Sequence, residues 1–181
     1  MTRPLVLTQN MTLNGIVEWL QDWFDPTTQS QDLVDVMMAA GETDLLLGRS
    51  TFEDFRGFWP TYLDDTTGTR QHLDSVRKHV VSTTMTDPGW QNTDVIRTDV
   101  EGHVRALKEQ PGGELGITGS IGLTHTLFRA GLIDELRLFV YPVTHYKGRN
   151  LFPTDASLTR FGLRETRGFD GGVALLHYVR E

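Results

Sequence analysis

Short apolar runs alternate along this chain with amphipathic ones, the order expected of a layered α/β fold. Residues 4–9 read as a first strand, followed by an Asn14-Gly15 turn signal with Trp19, Trp23 and Phe24 behind it. From Ser30, residues Leu33, Val34, Met37 and Met38 recur at helical spacing, and Gly41 ends the helix. Leu45, Leu46 and Leu47 predict a buried parallel strand ending at Gly48, with a helix after it through Phe55. Residues 56–69 mix aromatics with turn formers and predict a long surface loop. Two short strands are expected at 79–82 and 93–97. A helix over 100–110 carries Val104 and Leu107 on one face and is stopped by Pro111-Gly112-Gly113. A strand at 114–118, a helix at 119–130 and a long strand at 134–143 follow. Two strand-like runs around Asp170-Gly171-Gly172 predict a closing hairpin. No repeat or linker interrupts the pattern, so one domain over residues 1–181 is expected.

Charge narrows the possible partners. Seventeen Lys and Arg against 24 Asp and Glu give a net charge of −7, and no basic cluster offers a nucleic acid the counterion-releasing stripe it needs. The absence of cysteine removes disulfides, thiolate nucleophiles and Cys-type zinc sites. With no export-signal pattern at the start and no apolar run long enough for a bilayer, a cytoplasmic protein without membrane contact is expected. The six histidines lack HxH or HExxH spacing, so no metal site is expected, and neither a GxSxG elbow nor a P-loop occurs.

Candidate chemistry concentrates at three predicted strand ends. Leu115-Gly116-Ile117-Thr118-Gly119-Ser120-Ile121-Gly122-Leu123 runs from a strand through a glycine turn into a helix. The first amides of a helix lack internal partners and favour phosphate, and glycine lets a diphosphate approach the backbone. Gly119 and Gly122 equally suit tight strand–helix packing. Gly48-Arg49-Ser50-Thr51 repeats the arrangement with a guanidinium able to fork a phosphate or carboxylate, or to lie on the surface beside a helix cap. Ser82, Thr83 and Thr84 add hydroxyl donors at a third strand end. Three such ends match the rule that open α/β sheets bind ligands beyond the carboxyl ends of their strands, and together they favour a nucleotide site. Trp19, Trp23, Phe24, Phe58, Trp59 and Tyr62 could frame a flat heterocycle or pack in a core.

The succession Leu13-Asn14-Gly15, Leu-Gly-Arg-x-Thr-Phe-Glu, Ser-Thr-Thr, Gly-Ser-x-x-Leu and Gly131-Leu132-Ile133-Asp134-Glu135-Leu136-Arg137-Leu138 resembles the dihydrofolate-reductase-like superfamily. Within it, the chain is most similar to stand-alone relatives of the riboflavin-biosynthesis reductase domain, over residues 5–180. The resemblance implies a mostly parallel sheet of about eight strands with flanking helices and a C-terminal antiparallel hairpin. It also implies NADPH. Gly48, Arg49, Ser50 and Thr51 would hold the adenosine phosphates, with Ser82, Thr83 and Thr84 around the 2′-phosphate. Thr118, Gly119, Ser120, Ile121, Gly122 and Leu123 would cradle the diphosphate. Asn14, Gly15 and Ile16 would pass near nicotinamide and substrate. Two departures stand out: no zinc deaminase domain is present, and Tyr146 and Lys147 replace small residues in the turn after Pro142-Val143.

The resemblance also draws attention to Asp32 with Leu33, since an acidic residue on this helix binds the pterin in dihydrofolate reductases. A pocket carboxylate can grip an amidine-like edge and deliver a proton. A first-turn aspartate favoured by the helix dipole is the other reading, and Gln31, Asp35 and Glu18 compete for the role. Two functions fit: an NADPH-dependent reductase acting on a small conjugated heterocycle, or a non-catalytic dinucleotide-binding or interaction protein. The long apolar strand with Leu136, Leu138 and Val140 on one face suggests a homodimer, or a central strand buried on both faces.

Overall fold

A computed structural model describes residues 2–18, 23–25, 29–39 and 41–181. Its centre is an eight-stranded sheet in the order β4-β3-β2-β5-β1-β6-β8-β7. The strands are β1 (Leu5–Thr12), β2 (Glu42–Gly48), β3 (Arg77–Val81), β4 (Thr93–Ile96), β5 (Glu114–Ile117), β6 (Glu135–Tyr141), β7 (Phe161–Gly168) and β8 (Ala174–Arg180). The first six are parallel, whereas β8 runs antiparallel to both β6 and β7. Gly171 and Gly172, at φ of +81° and +82°, turn the chain between the last two, as the Asp-Gly-Gly signal predicts.

Among the described residues five helices join the strands: α1 (Gln31–Met38), α2 (Arg49–Phe58), α3 (Thr69–Ser75), α4 (Val100–Glu109) and α5 (Ile121–Arg129). Val104, Leu107, Leu123 and Leu127 of α4 and α5 bury against Leu5, Leu7, Leu46, Leu115, Ile117, Leu136 and Leu138. The opposite sheet face is covered in two separate places. Phe52 of α2 and Leu73 of α3 pack on Leu45, Leu47 and Val80 of β2 and β3. Leu33 of α1 packs on Phe139 and Leu175 of β6 and β8. Neither cluster includes a residue of β1 or β5, so a central stripe of this face lies between the two helix groups.

One difference from the expected elements has a clear cause. The segment 56–69, expected to be loop throughout, opens with the last turn of α2 and a 3-10 turn at Trp59–Thr61, and α3 begins at its end. α3 contributes a single buried residue, Leu73, and so has no hydrophobic period to read. It is held by polar contacts: just before it, Asp65 accepts from the amides of Thr67 and Arg70, at 2.9 and 2.8 Å. From the following strand the buried Lys78 ammonium donates to the carbonyls of Leu73 and Val76, at 2.6 and 2.8 Å. Leu136, Leu138 and Val140 of β6 all lie in the main core. Among the described residues no helix is long and apolar enough to cross a membrane.

Candidate functional site

The carboxyl ends of β2 and β5 are adjacent, and each feeds a helix directly. Gly48 is the N-cap of α2 and Ser120 that of α5, and neither caps its own helix with a side-chain hydrogen bond. The Ser120 hydroxyl turns away from its own helix to lie 3.2 Å from Thr51 Oγ1. The Gly48 amide donates to the Gly119 carbonyl at 3.3 Å, closing the seam between the two turns, and the Gly119–Ser120 peptide is cis.

Glycine is required at two points of this seam. A Cβ on Gly48 would stand 2.3 Å from Ser120 Oγ, and one on Gly119 would stand 2.8 Å from Thr51 Oγ1 at a φ of +134°. Gly122, in the first turn of α5, is different: a Cβ there would meet nothing within 4 Å. Two helix starts therefore meet at one edge; the Thr51 amide of α2 donates to Ser120 Oγ at 3.5 Å, while α5 opens at Gly122 onto free space, which suits an anion. Arg49 sits at the same edge. Its side chain is half-exposed and, among the described residues, tied to Glu53 at 3.5 Å, a loose contact that leaves the guanidinium available.

The other predicted site residues fall in three places. At the end of β3, the buried Ser82 uses its hydroxyl to accept from the amides of Met85 (3.0 Å) and Thr84 (3.3 Å), while Thr83 and Thr84 are exposed. Ser82 thus shapes the turn, and its two neighbours face outward. Thr118, Ile121 and Leu123 flank the glycine turn, with Leu123 buried in the core.

Beyond β1, the Thr12 hydroxyl donates to Asn14 Oδ1 (2.8 Å) and accepts from the Ile16 amide (2.9 Å). The Asn14 side chain exchanges hydrogen bonds with the His145 backbone, at 2.7 and 3.1 Å, and Asn150 donates to the Asn14 carbonyl. Gly15, at φ +83°, allows this turn, and Ile16 bridges to Asn150. A salt bridge from Arg149 to Glu18 at 2.6 Å adds a further tie and draws the Glu18 carboxyl below its usual range. The loops after β1 and β6 are thereby laced into one bracket.

Asp32 stands apart from these groups. Its carboxylate is about half-exposed and lies 3.7 Å from Arg167 of β7, while Asp35 accepts from Gln31. Leu33 is buried with Phe139, Phe169, Val173 and Leu175, as a core residue of α1 rather than a free contact surface. The aromatic set divides. Trp23 and Phe24 pack edge-on against Tyr141, with centroids 5.7 and 5.5 Å away, whereas Phe58, Trp59 and Tyr62 cluster at the end of α2. Trp19 lies outside the described residues.

Four residues of the central face were not anticipated: Thr8, Asn10, Arg137 and Tyr141. Thr8, Asn10 and Thr12 alternate along β1, a period-two polar pattern that was the available signal. Their register partners on β6 are Arg137, Phe139 and Tyr141. Burial alone would lower the Arg137 guanidinium, but the Glu114 carboxylate, which accepts both its forks at 2.8 and 2.7 Å, raises it with help from Glu135 and Glu42. Burial pushes the Tyr141 phenol up to about 12, against a hydrogen bond from the Gln29 amide, so it keeps its proton at neutral pH. Beside them Glu135 and His177 form a buried pair at 2.8 Å. No cluster able to hold a metal occurs among the described residues.

Residues 5–175 match the model of the RibD C-terminal domain. The uncharacterized protein YyaP of Bacillus subtilis is 27% identical over 183 residues, covering 97% of this chain and 94% of that protein. Among solved structures, a putative riboflavin biosynthesis protein from Shewanella superposes with a TM-score of 0.73 at 20% identity, covering 100% of this chain and 99% of that one. A dihydrofolate reductase from Enterococcus faecalis, complexed with NADP(H), gives a TM-score of 0.65 at 18% identity, again covering 100% and 99%.

Proposed function

Since the chain belongs to the RibD C-terminal domain family and has a dihydrofolate-reductase-like fold, we propose that it is an NADPH-dependent reductase acting on a small conjugated heterocycle. The observation that carries this reading is the seam at the ends of β2 and β5, where Gly48 and Gly119 admit no Cβ and the first turn of α5 opens on free space. Those residues fit a dinucleotide. The amides from Ser120 to Leu123 would hold the diphosphate, Arg49, Ser50 and Thr51 the adenosine phosphates, and Thr83 and Thr84 the 2′-phosphate region. The nicotinamide would supply the hydride.

This chain's own residues then position the acceptor. The bracket of Asn14, Gly15 and Ile16, fixed to the loop after β6, walls one end of the central face. α1 covers one flank through Leu33, and α2 covers the other through Phe52. Asp32, turned to Arg167, acts in this reading as a helix-start carboxylate rather than a proton donor. The chain is read as a cytoplasmic protein that works on small molecules. Fluorescence titration with NADPH, followed by oxidation assays over a panel of pterins and pyrimidines, tests the reading. Saturable binding with oxidation by at least one acceptor is expected. Tight binding with no oxidation across the panel would favour a dinucleotide-binding protein without turnover, and absence of binding would overturn both.

A further inference from the structure

α5 is a short helix, nine residues long, and the Ser120 hydroxyl at its start lies against Thr51 Oγ1 instead of capping it. A short helix without a side-chain cap is loosest in its first turn. The bond that closes this turn runs from the Thr124 amide to the Ser120 carbonyl, at 2.9 Å. His125 is the next residue.

One side of α5 grips the segment after β6. His125, Phe128 and Arg129 stand at i, i+3 and i+4 and so share a helix face. His125 Nε2 lies 2.9 Å from the Asn150 carbonyl, which only accepts, so the imidazole donates. The Phe128 ring packs on Phe152 with centroids 5.3 Å apart, and Arg129 pairs with Asp155 at 2.9 Å. The same segment also holds the turn after β1. Asn150 Nδ2 donates to the Asn14 carbonyl at 3.0 Å, and the Leu151 amide to the Gly15 carbonyl at 2.9 Å. In return the Val17 amide donates to the Arg149 carbonyl at 3.1 Å. Gly15 fits so closely that a Cβ there would stand 2.7 Å from Asn150 Nδ2. Residues 149–155 thus form a plate between α5 and the bracket of Asn14, Gly15 and Ile16. Of the three side chains that α5 sets on this plate, His125 stands nearest the helix start and meets the residue that reaches Asn14.

We infer that His125 is a positioning residue that couples the start of α5, through Asn150, to the bracket, so that the bracket is fixed when the cofactor binds. The inference rests on the reductase reading in placing the diphosphate on the amides from Ser120 to Leu123. An anion there caps the loose first turn, holds the imidazole in line with the Asn150 carbonyl and presses the plate onto residues 14–17.

Amide hydrogen exchange followed by NMR, with and without saturating NADPH, tests the coupling without turnover. The amides of Val17 and Leu151 report it, because each bonds across the plate–bracket seam. The Lys78 amide, bonded to the Asn92 carbonyl on β3, reports any stabilisation of the whole molecule, and the seam amides are read relative to it. In the natural protein NADPH should slow the two seam amides by about tenfold beyond Lys78, the hold of one further hydrogen bond. His125→Leu keeps a good helix former at this half-buried position but has no donor, and should lose that slowing. His125→Gln returns an N–H at similar reach and should regain it, which a merely structural role for the imidazole ring would not require. Equal slowing in the leucine variant, no rescue by glutamine, or no slowing in the natural protein with NADPH bound overturns this inference and leaves the reductase reading standing. Absence of NADPH binding in a fluorescence titration of the natural protein overturns that reading and this inference with it.

Discussion

Gly122→Asp separates binding from folding more cleanly than any other change at the proposed cradle. The residue is exposed in the first turn of α5, and a Cβ there meets nothing within 4 Å, so the side chain enters without a clash. Its effect on the free protein should be favourable. An aspartate near a helix N-terminus gains about 0.3–1 kcal/mol from the dipole, and replacing a helical glycine adds roughly 0.5–1 kcal/mol. A net gain near 1 kcal/mol would raise Tm by about 2–4 °C for a chain of this length. The same carboxylate would occupy space assigned to the diphosphate. Two unit charges about 4 Å apart repel by roughly 4 kcal/mol at an effective dielectric of 20, and partial exposure reduces this toward 1.5–3 kcal/mol. NADPH affinity should therefore fall by about 10- to 150-fold while the protein becomes more stable. Fluorescence titration and a thermal melt on the same preparation read both quantities. A more stable variant that binds NADPH within threefold of the natural protein would refute the diphosphate assignment. Gly119→Asp is a poorer probe, because φ of +134° and contact with Thr51 would strain the fold as well.

Arg49→Ala removes a charge-assisted contact worth roughly 1.5–3 kcal/mol, so NADPH should bind about 10- to 150-fold more weakly. In parallel titrations NADH should lose much less if the guanidinium meets the 2′-phosphate, and equally if it meets the shared diphosphate; a change under threefold for NADPH removes Arg49 from the site. Lys78 is fully buried, and burial lowers its ammonium from 10.5 to about 8, against the attraction of Asp74. Between those pH values the unfolded chain holds the extra proton, so stability should rise with pH there, by roughly 3 kcal/mol at most. Denaturant melts from pH 7.5 to 10.5 should show that rise, and Lys78→Met should abolish it; an identical slope in both proteins contradicts the burial argument. Asp44 works in the opposite range. Burial would raise its carboxyl, but hydrogen bonds from His79, Arg3 and Thr43 and the Arg3 charge outweigh it and hold it below 3.8. Its contribution is present above 3.8 and is lost as pH falls through the lowered value, so Asp44→Asn should flatten acid denaturation in the same melts.

What the sequence revealed of the site followed from how local each signal was. Gly48–Arg49–Ser50 and Gly119–Ser120 are legible because a strand, a glycine and a helix start lie within a few residues, and each carries its own composition. The contact between Gly48 and Ser120 brings together positions 72 apart and depends on β2 pairing with β5, which no local pattern specifies. The same applies to Arg137 and Glu114, whose fork joins β6 to the start of β5 across the intervening β1. α3 has no hydrophobic stripe to read; instead Lys78, from the next strand, satisfies the carbonyls of Leu73 and of its C-cap Val76. Asp32 was singled out by its position on α1. Its direction is set by Arg167, 135 residues later in the chain, and a position along a helix does not determine that. The apolar run that predicts the first strand ends at Gln9, whereas β1 runs to Thr12, so Asn10 and Thr12 of the polar alternation fall beyond it.

The central claim is that a dinucleotide lies across the ends of β2 and β5, and a crystal structure of the NADPH complex tests it most directly. The account predicts diphosphate density against the amides of Ser120 to Leu123, with Arg49 on a phosphate and the nicotinamide directed toward the face that carries Thr8 and Asn10. A diphosphate bound anywhere else, or α5 without phosphate density at saturating NADPH, would contradict it.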